Sequence, residues 1–259
     1  MVGMRLSHIW EKFQIPQNRL NKKDLDQQSQ HWENSFSNKP EMFGLDPSEA
    51  ARHAKEIFES QKIKNFFSRK SIDILELGAG LGRDTTYFAA NSNLIQVTAL
   101  DYSSEAIKNI NKKKTDYYSD LTMTDGKSAA DKITTKVWDV RNGIPYKDNT
   151  FDGCFSHMLY CMALTTSEII KLNKEVHRIL KPGAINIFTV RHTGDGDYKK
   201  GKHIGEDLYE NDGFIVHFFD KEKINQISKE FKIEDIFELH EGSFPRKLFV
   251  VTQRKKWPW

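Results

Sequence analysis

Short apolar runs alternate with helical patterns from residue 71 onward, and this alternation limits the possible folds more than any other feature. The runs lie at 72–77, 95–100, 134–138, 151–155 and 184–190. Between the last two, Thr165 and Glu168 have the spacing of a capping box and precede an apolar helical stripe. Strands that alternate with helices predict an α/β fold, in which helices cover both faces of a parallel sheet.

The two ends of the chain depart from this alternation. Strands are predicted at 233–240 and 246–253, and the short link between them predicts an antiparallel hairpin at the sheet edge. The stretch at 192–213 is rich in Gly and charge and is predicted to be irregular. Residues 1–46 are largely polar and are predicted to form a tail or lid on the domain at 47–259. We expect that domain to begin with a helix capped by Asp46.

Charge and composition argue against several classes of protein. The 259 residues include 39 Lys and Arg and 36 Asp and Glu, a formal net charge of +3 that is too mild to indicate a nucleic-acid partner. No apolar run approaches the roughly 18 residues of a membrane helix, and the first residues lack the apolar core of a signal peptide. Cys154 and Cys161 lack the spacing of a zinc site. We expect a cytoplasmic protein with reduced cysteines, no metal and no membrane association.

A glycine-rich turn follows the first apolar run, where the sequence at 76–83 is Glu-Leu-Gly-Ala-Gly-Leu-Gly-Arg. Glycines at the carboxyl end of a parallel strand let the backbone approach a ligand. A dinucleotide fingerprint requires glycine at position 83, where this chain has Arg83. The carboxylate of Glu76 would repel a diphosphate but would suit an ammonium group. A nicotinamide-dependent oxidoreductase is therefore disfavoured.

Acidic residues also follow the second and third runs. Asp101 is placed to accept hydrogen bonds from both hydroxyls of a ribose, and Tyr102 can lie against an adenine ring. Asp139 can accept from the adenine amino group. Each hydrogen bond to a charged acceptor contributes about 1.5–3 kcal/mol. Acids at three successive strand ends predict a site for a cationic nucleoside.

With these motifs, the chain resembles the class I S-adenosylmethionine-dependent methyltransferases over about residues 48–253. The resemblance also includes Phe151-Asp152, which opens the fourth strand, and Leu180-Lys181-Pro182-Gly183 before the fifth. It implies a three-layer Rossmann-like sandwich with a seven-stranded, mostly parallel sheet in the order 3-2-1-4-5-7-6, strand seven being antiparallel. It implies S-adenosylmethionine as cofactor and methyl transfer to a small molecule by in-line displacement. The residues that it implies for cofactor binding are Glu76, Gly78, Ala79, Gly80, Gly82, Asp101, Tyr102, Asp139, Val140 and Ser156.

Candidate acceptor residues lie at the ends of the fourth and fifth strands. His157 and Tyr160 follow the fourth strand, where substrate contact and simple packing are equally good interpretations. Arg191, Tyr209 and His217 come from the end of the fifth strand and from the long segment after it, and we hypothesise that they line the acceptor pocket. This segment is expected to form a substrate wall or lid.

Two further expectations concern the N-terminal segment and the kind of acceptor. Trp32 or Phe43 is expected to contact the cofactor if residues 1–46 cover it. The fourth-strand end lacks the prolines that amino-methylating nucleic-acid enzymes of this fold carry, which disfavours a nucleic-acid acceptor. A regulatory or partner-dependent cofactor-binding subunit, and an enzyme that methylates protein or RNA, remain alternatives. The sequence leaves the oligomeric state open.

Overall fold

The computed structural model describes residues 22–64, 71–120, 126, 128–242 and 246–257. Its helices are α1 (Lys22–Asn38), α2 (Glu49–Lys64), α3 (Arg83–Ala90), α4 (Ser104–Lys113), α5 (Thr166–Ile179) and α6 (Lys221–Ile227). Its strands are β1 (Ile72–Leu77), β2 (Ile95–Asp101), β3 (Ile133–Val137), β4 (Phe151–Ser156), β5 (Leu180–Arg191), β6 (Lys202–Gly205), β7 (Leu208–Asn211), β8 (Phe214–His217), β9 (Phe231–Glu241) and β10 (Arg246–Lys255). Of the helices described, none has the length and apolar character needed to cross a bilayer.

Seven of the strands form one sheet in the order β3-β2-β1-β4-β5-β10-β9. The strands from β3 to β5 are parallel, and β10 runs antiparallel to both of its neighbours. The sheet order predicted from the resemblance is therefore confirmed, as is the antiparallel hairpin at the edge. Because parallel strands need long crossovers, the helices lie between them in the chain and cover the sheet.

Alternating side chains of the central strands enter two different cores. Leu75 of β1 packs with Val176 of α5 on one face of the sheet. Ile74, its neighbour in sequence, packs with Phe58 of α2 and Phe88 of α3 on the other face. Burial on both faces explains why the strands appear in the sequence as nearly continuous apolar runs.

The helix predicted to follow Asp46 begins two residues later than expected. The hydroxyl of Ser48 accepts from the backbone N–H of Ala51 at 3.0 Å and caps α2. Ser48 is itself fixed by the carboxylate of Asp84, to which its N–H and its hydroxyl donate at 2.7 and 2.9 Å. The prediction of Asp46 as the cap is wrong because this long-range contact places Ser48 at the helix start. The capping box of Thr165 and Glu168 is confirmed.

The stretch predicted to be irregular contains part of a second, three-stranded antiparallel sheet of β6, β7 and β8. Asp212 and Gly213 connect β7 to β8 with φ values of 51° and 84°, as expected for the two-residue turn that matches the twist of a hairpin. An Asp-Gly pair between short apolar strands is a recognised hairpin signal that the sequence analysis missed. Leu208 and Ile215 pack this small sheet on Ala163, beyond the end of β4.

Candidate functional site

A cavity of about 580 Å³ lies beyond the carboxyl ends of β1, β2, β4 and β5. Ligands bind at this edge in open parallel sheets, and the volume is within the roughly 300–1,000 Å³ range of small-molecule sites. The lining comes from the glycine turn, from the segments after β2, β3 and β4, from the β7–β8 hairpin and from α1. One cavity therefore brings together most of the residues singled out in the sequence.

Two glycines of the turn have different roles. Both have left-handed backbones, with φ of 52° at Gly80 and 78° at Gly82. Gly80 lines the cavity, and a Cβ built there would meet no atom closer than 3.8 Å, so its backbone is open to a ligand. At Gly82, a Cβ would lie 2.6 Å from Ile110 of α4. Gly82 is thus required for close helix packing, while Gly78, Ala79 and Gly80 face the cavity.

Three buried carboxylates, those of Glu76, Asp84 and Asp101, line the same part of the cavity. The hydroxyl of Thr85 donates to Glu76 at 2.5 Å. Burial raises the pKa of Glu76 well above its usual value, and the charges of Asp84 and Asp101 raise it further. A bound cation would relieve this repulsion, whereas a diphosphate would increase it.

Asp101 is held by the backbone but keeps spare acceptor capacity. It accepts from the N–H of Gly80 and from the N–H of Ser103, each at 2.8 Å. Burial raises its pKa to about 6. A carboxylate has about four lone-pair positions, so about two remain for a ligand. Tyr102 lines the cavity beside it.

The carboxylate of Asp139 has little capacity left for a ligand. Its Oδ1 accepts from the N–H and Nε of Arg141 at 3.0 and 2.9 Å, and its Oδ2 accepts from Nε and Nη2 at 2.9 and 2.5 Å. Burial acts to raise the pKa of Asp139, but the hydrogen bonds and charge of Arg141 lower it overall. The adenine contact expected for Asp139 would require Arg141 to move. Val140 and Arg141 also line the cavity.

Two residues predicted at the end of β4 do not reach the cavity lining. Ser156 is fully buried, and its hydroxyl has no hydrogen-bond partner among the residues described. Tyr160 is also fully buried and stacks on Phe188 with a centroid distance of 4.4 Å. Its hydroxyl donates to Asn173 at 3.3 Å within the core. Tyr160 therefore has the packing role that was its alternative interpretation.

His157 lies in the cavity lining and is fixed through both ring nitrogens. Nε2 is 2.9 Å from the carboxylate of Glu241, and Nδ1 is 3.1 Å from the hydroxyl of Thr189. Arg83 donates to the other oxygen of Glu241 at 2.6 Å. Burial acts to raise the pKa of Glu241, but the hydrogen bond from His157 and the charges of His157 and Arg83 lower it to about 2. Glu241 could not be identified from the sequence, because its contacts with Arg83 and His157 join positions that are far apart in the chain.

The three acceptor candidates separate into two groups. Arg191 and Tyr209 line the cavity. His217 does not: it is fully buried, with Nδ1 2.7 Å from the carbonyl of Leu164 and Nε2 2.8 Å from Nζ of Lys223. The expectation that His217 lines the acceptor pocket needs correction, because its ring is engaged between these two groups in the protein interior.

Helix α1 and the segment after it lie over the cavity and contribute aromatic side chains to it. Trp32 and Phe43, both singled out in the sequence, line the cavity together with Phe36. Trp32 also contacts the ring of Phe214 at a centroid distance of 5.0 Å. These contacts place an apolar surface against the outer side of the site.

Two polar side chains fix α1 at opposite sides of the cavity. Gln28 accepts from the N–H of Ile215 at 2.6 Å and donates to the carbonyl of Gly213 at 3.2 Å, on the β7–β8 hairpin. Glu33 accepts from the hydroxyl of Ser103 at 2.9 Å and from the N–H of Ser104 at 2.8 Å, at the start of α4. Helix α1 therefore bridges the hairpin and the helix that follows Asp101.

Comparison with known proteins identifies similar sequences. Residues 75–188 match the family described as "Methyltransferase domain". A curated relative, 24-methylenesterol C-methyltransferase 2 of Arabidopsis thaliana, is 24% identical over 158 residues. The match covers 60% of this chain and 38% of that relative, so the chain spans well under half the length of the curated protein it matches.

Solved structures share the fold. Burkholderia thailandensis 1,6-didemethyltoxoflavin-N1-methyltransferase, solved with bound 1,6-didemethyltoxoflavin and S-adenosylhomocysteine, gives a TM-score of 0.64 at 17% identity over 90% of this chain and 89% of that one. A SAM-dependent methyltransferase from Methanosarcina mazei gives 0.58 at 22% identity over 76% of this chain and 98% of that one. At these identities the likeness establishes the fold alone.

Proposed function

Residues 75–188 match a methyltransferase domain, and we propose that this chain is a class I S-adenosylmethionine-dependent methyltransferase that methylates a small organic acceptor. The single observation that carries the proposal is a cavity with two chemically different parts. We call Glu76, Gly80 and Asp101 the cofactor part, and the lining beyond the β4 end, including Met162 and Phe218, the acceptor part.

The cofactor part fits S-adenosylmethionine in charge and in hydrogen-bonding capacity. Glu76 is a buried carboxylate with one hydroxyl partner, which suits the ammonium group of the cofactor. The two lone-pair positions left on Asp101 match the two ribose hydroxyls. The open backbone at Gly80 allows close approach. When bound, the cofactor supplies a methyl group on a sulfonium, a leaving group already activated by its charge.

The chain itself then has to align the acceptor and exclude water. Met158, whose left-handed backbone (φ 63°) turns the chain after β4, donates its N–H to Thr189 at 2.8 Å and lines the cavity. Leu159, the next residue, packs against Gly78 of the glycine turn. The aromatic side chains of α1 cover the outer side. These residues form an apolar passage between the two parts of the cavity.

In this proposal, His157 is a positioning residue. Both of its nitrogens are engaged, one with Glu241 and the other with Thr189, so neither is available to remove a proton from the acceptor without rearrangement. The network instead holds the turn after β4 against the hairpin end of β9. An acceptor whose reacting atom is unprotonated at working pH needs no general base.

We further propose that residues 22–46 of the N-terminal segment act as a lid on the cofactor. Its two polar contacts, through Gln28 and Glu33, tie α1 to both sides of the cavity. A lid of this kind restricts the acceptor part to small molecules, since a folded protein or RNA strand needs an open cleft. This supports a small acceptor over the macromolecular alternative.

The experiment that tests the proposed function offers the full chain a choice of acceptors. Purified protein is incubated with methyl-deuterated S-adenosylmethionine and with separate small-molecule, protein and RNA fractions of a cell extract. We expect label only in the small-molecule fraction, detected by product mass. Label confined to protein or RNA would contradict the proposed acceptor, and cofactor binding without transfer to any fraction would favour a regulatory subunit.

A further inference from the structure

We propose that the acceptor is an organic acid whose carboxylate binds to a group of three cations, Arg191, Lys200 and Arg246, in the acceptor part of the cavity. This inference rests on the proposed function and adds the class of substrate to it. All three residues line the cavity. Arg191 is buried, and its described partners accept from Nε and Nη2 only.

The guanidinium of Arg191 is held rigidly by two aspartates. Nε and Nη2 donate to the two oxygens of Asp195 at 3.0 and 2.5 Å, and Nη2 also donates to Asp197 at 2.8 Å. Cζ lies 5.5 Å from the centroid of Phe218. Only 5% of Arg191 is exposed, yet no residue in the described ranges accepts a hydrogen bond from Nη1. A buried arginine with two free N–H donors in a cavity lining points to a ligand oxygen.

Arg246 lies on the same face of the sheet as Arg191. Leu248 of β10 is paired directly with Arg191, and Arg246 is two residues along β10, so its side chain emerges on the same side. Diagonal neighbours of this kind have Cα atoms about 7–8 Å apart. Arg246 has no ion-pair partner in the part of the chain that the structure describes. Its cross-strand neighbour Glu241 is bonded to Arg83 and His157, so Arg246 adds a positive charge on the face of the sheet that carries Arg191.

Lys200 completes the group from the segment that also supplies the aspartates. Its backbone N–H donates to the carbonyl of Asp197 at 3.0 Å in a tight turn, which ties it to the partner of Arg191. Asp195 and Asp197 are both ion-paired with Arg191, whereas neither Lys200 nor Arg246 has an ion-pair partner within the described ranges. Asp212, an exposed side chain of the β7–β8 turn, is a further acid in this part of the lining.

The position of the group separates it from the cofactor part. β5 and β10 lie two and three strands from β1, and strands are about 4.8 Å apart, so the backbones of Arg191 and Arg246 are about 10 and 14 Å from β1. Ribose and adenine are expected in the opposite direction, at the ends of β2 and β3. Apolar side chains, among them Met162 and Phe218, lie between the cations and the cofactor part. They suit an acceptor whose remaining part is apolar or aromatic. The carboxylate would thus anchor the acceptor by the end distant from the cofactor.

The test uses the full chain saturated with S-adenosylhomocysteine and two nearly isosteric probes, phenylacetate and phenylacetamide. Calorimetry measures the Kd of each. We expect phenylacetate to bind at least about tenfold more tightly than the amide, because charge-assisted bonds to Arg191 and Arg246 are stronger than neutral ones. Equal affinities, or no binding of either probe up to its solubility limit, would overturn the proposal.

Variants identify the residues responsible. Arg246→Gln should weaken phenylacetate binding at least about fivefold and leave phenylacetamide unchanged. Lys247→Gln is the matched control, because it removes the same charge from the neighbouring position, whose side chain lies on the other face of β10. Arg191→Lys keeps the charge but lacks Nη1, and it should also weaken phenylacetate binding. Equal effects of Arg246→Gln and Lys247→Gln would overturn the assignment.

The same titrations separate failure of this inference from failure of the proposed function. S-adenosylhomocysteine affinity is measured first for each variant and should be unchanged, since the cations lie away from the cofactor part. If the wild-type protein does not bind S-adenosylhomocysteine, the proposed function itself is wrong. If it binds the product but shows no preference for the acid, only the carboxylate site is wrong.

Discussion

Replacing Asp101 with Asn is the perturbation for which the structure gives the clearest expected magnitude. The carboxylate accepts two backbone N–H bonds and keeps about two lone-pair positions for ligand hydroxyls. Asn keeps one oxygen and presents an NH₂ group in place of the other, so at least one ligand hydroxyl loses a charged acceptor. The loss of about 1.5–3 kcal/mol corresponds to a roughly 10- to 150-fold rise in the Kd for S-adenosylhomocysteine.

Asp139→Asn is the matched control for this substitution. Both residues are acids at neighbouring strand ends and both line the cavity, but Arg141 occupies the acceptor positions of Asp139. The Kd should therefore change by less than about threefold. Calorimetry at pH 7.5 measures both variants, with thermal unfolding to verify that each is folded. A larger effect at Asp139 than at Asp101, or equal effects, would refute the reasoning from lone-pair capacity.

Three further outcomes follow from charge, strain and the lid. Affinity for S-adenosylhomocysteine should rise as pH increases through about 6, because burial raises the pKa of Asp101 to about 6, the ligand favours the ionised carboxylate, and binding therefore releases a proton. The raised pKa of Glu76 acts in the same direction. A flat profile from pH 5 to 8 would contradict this. Gly82→Ala should lower the free energy of unfolding by about 2–4 kcal/mol in a urea titration, since its positive φ and the 2.6 Å approach to Ile110 of α4 both disfavour a Cβ. Gly44 has a similar φ but open space around it. Gly44→Ala should therefore lower the free energy of unfolding clearly less. Glu33→Gln should raise the Kd for the cofactor about threefold to tenfold by weakening the contact of α1 with α4; an unchanged Kd would argue against the lid.

Most of the central sheet could be predicted from the sequence because its signals are local. The parallel strands β1, β2, β4 and β5 are buried on both faces and therefore appear as apolar runs. The glycines at 78, 80 and 82 mark the strand end at which ligands bind. The β6–β8 sheet was missed although Asp212-Gly213 is a local hairpin signal. Its strands are only four residues long, so the alternation of apolar residues was too short to recognise.

The parts of the site that could not be predicted depend on which side chains meet in the folded chain. Asp139 was expected to accept a hydrogen bond from the cofactor as Asp101 does, but the side chain of Arg141 binds its carboxylate instead. His217 was expected in the pocket because it belongs to the long segment after the fifth strand, yet Lys223 of α6 contacts its ring. Glu241 joins the site through Arg83, 158 positions away in the chain. Residue type and spacing indicate which groups lie at one edge of the sheet, but only packing decides which of them keep free hydrogen-bonding capacity.

The decisive measurement is a crystal structure of the full chain with S-adenosylhomocysteine. We expect the ribose hydroxyls within hydrogen-bond distance of Asp101, the ammonium group beside Glu76, and the sulfur atom directed toward Met162 and Phe218 in the acceptor part. Electron density for the ligand with its sulfur facing solvent, or with no contact to either carboxylate, would contradict it.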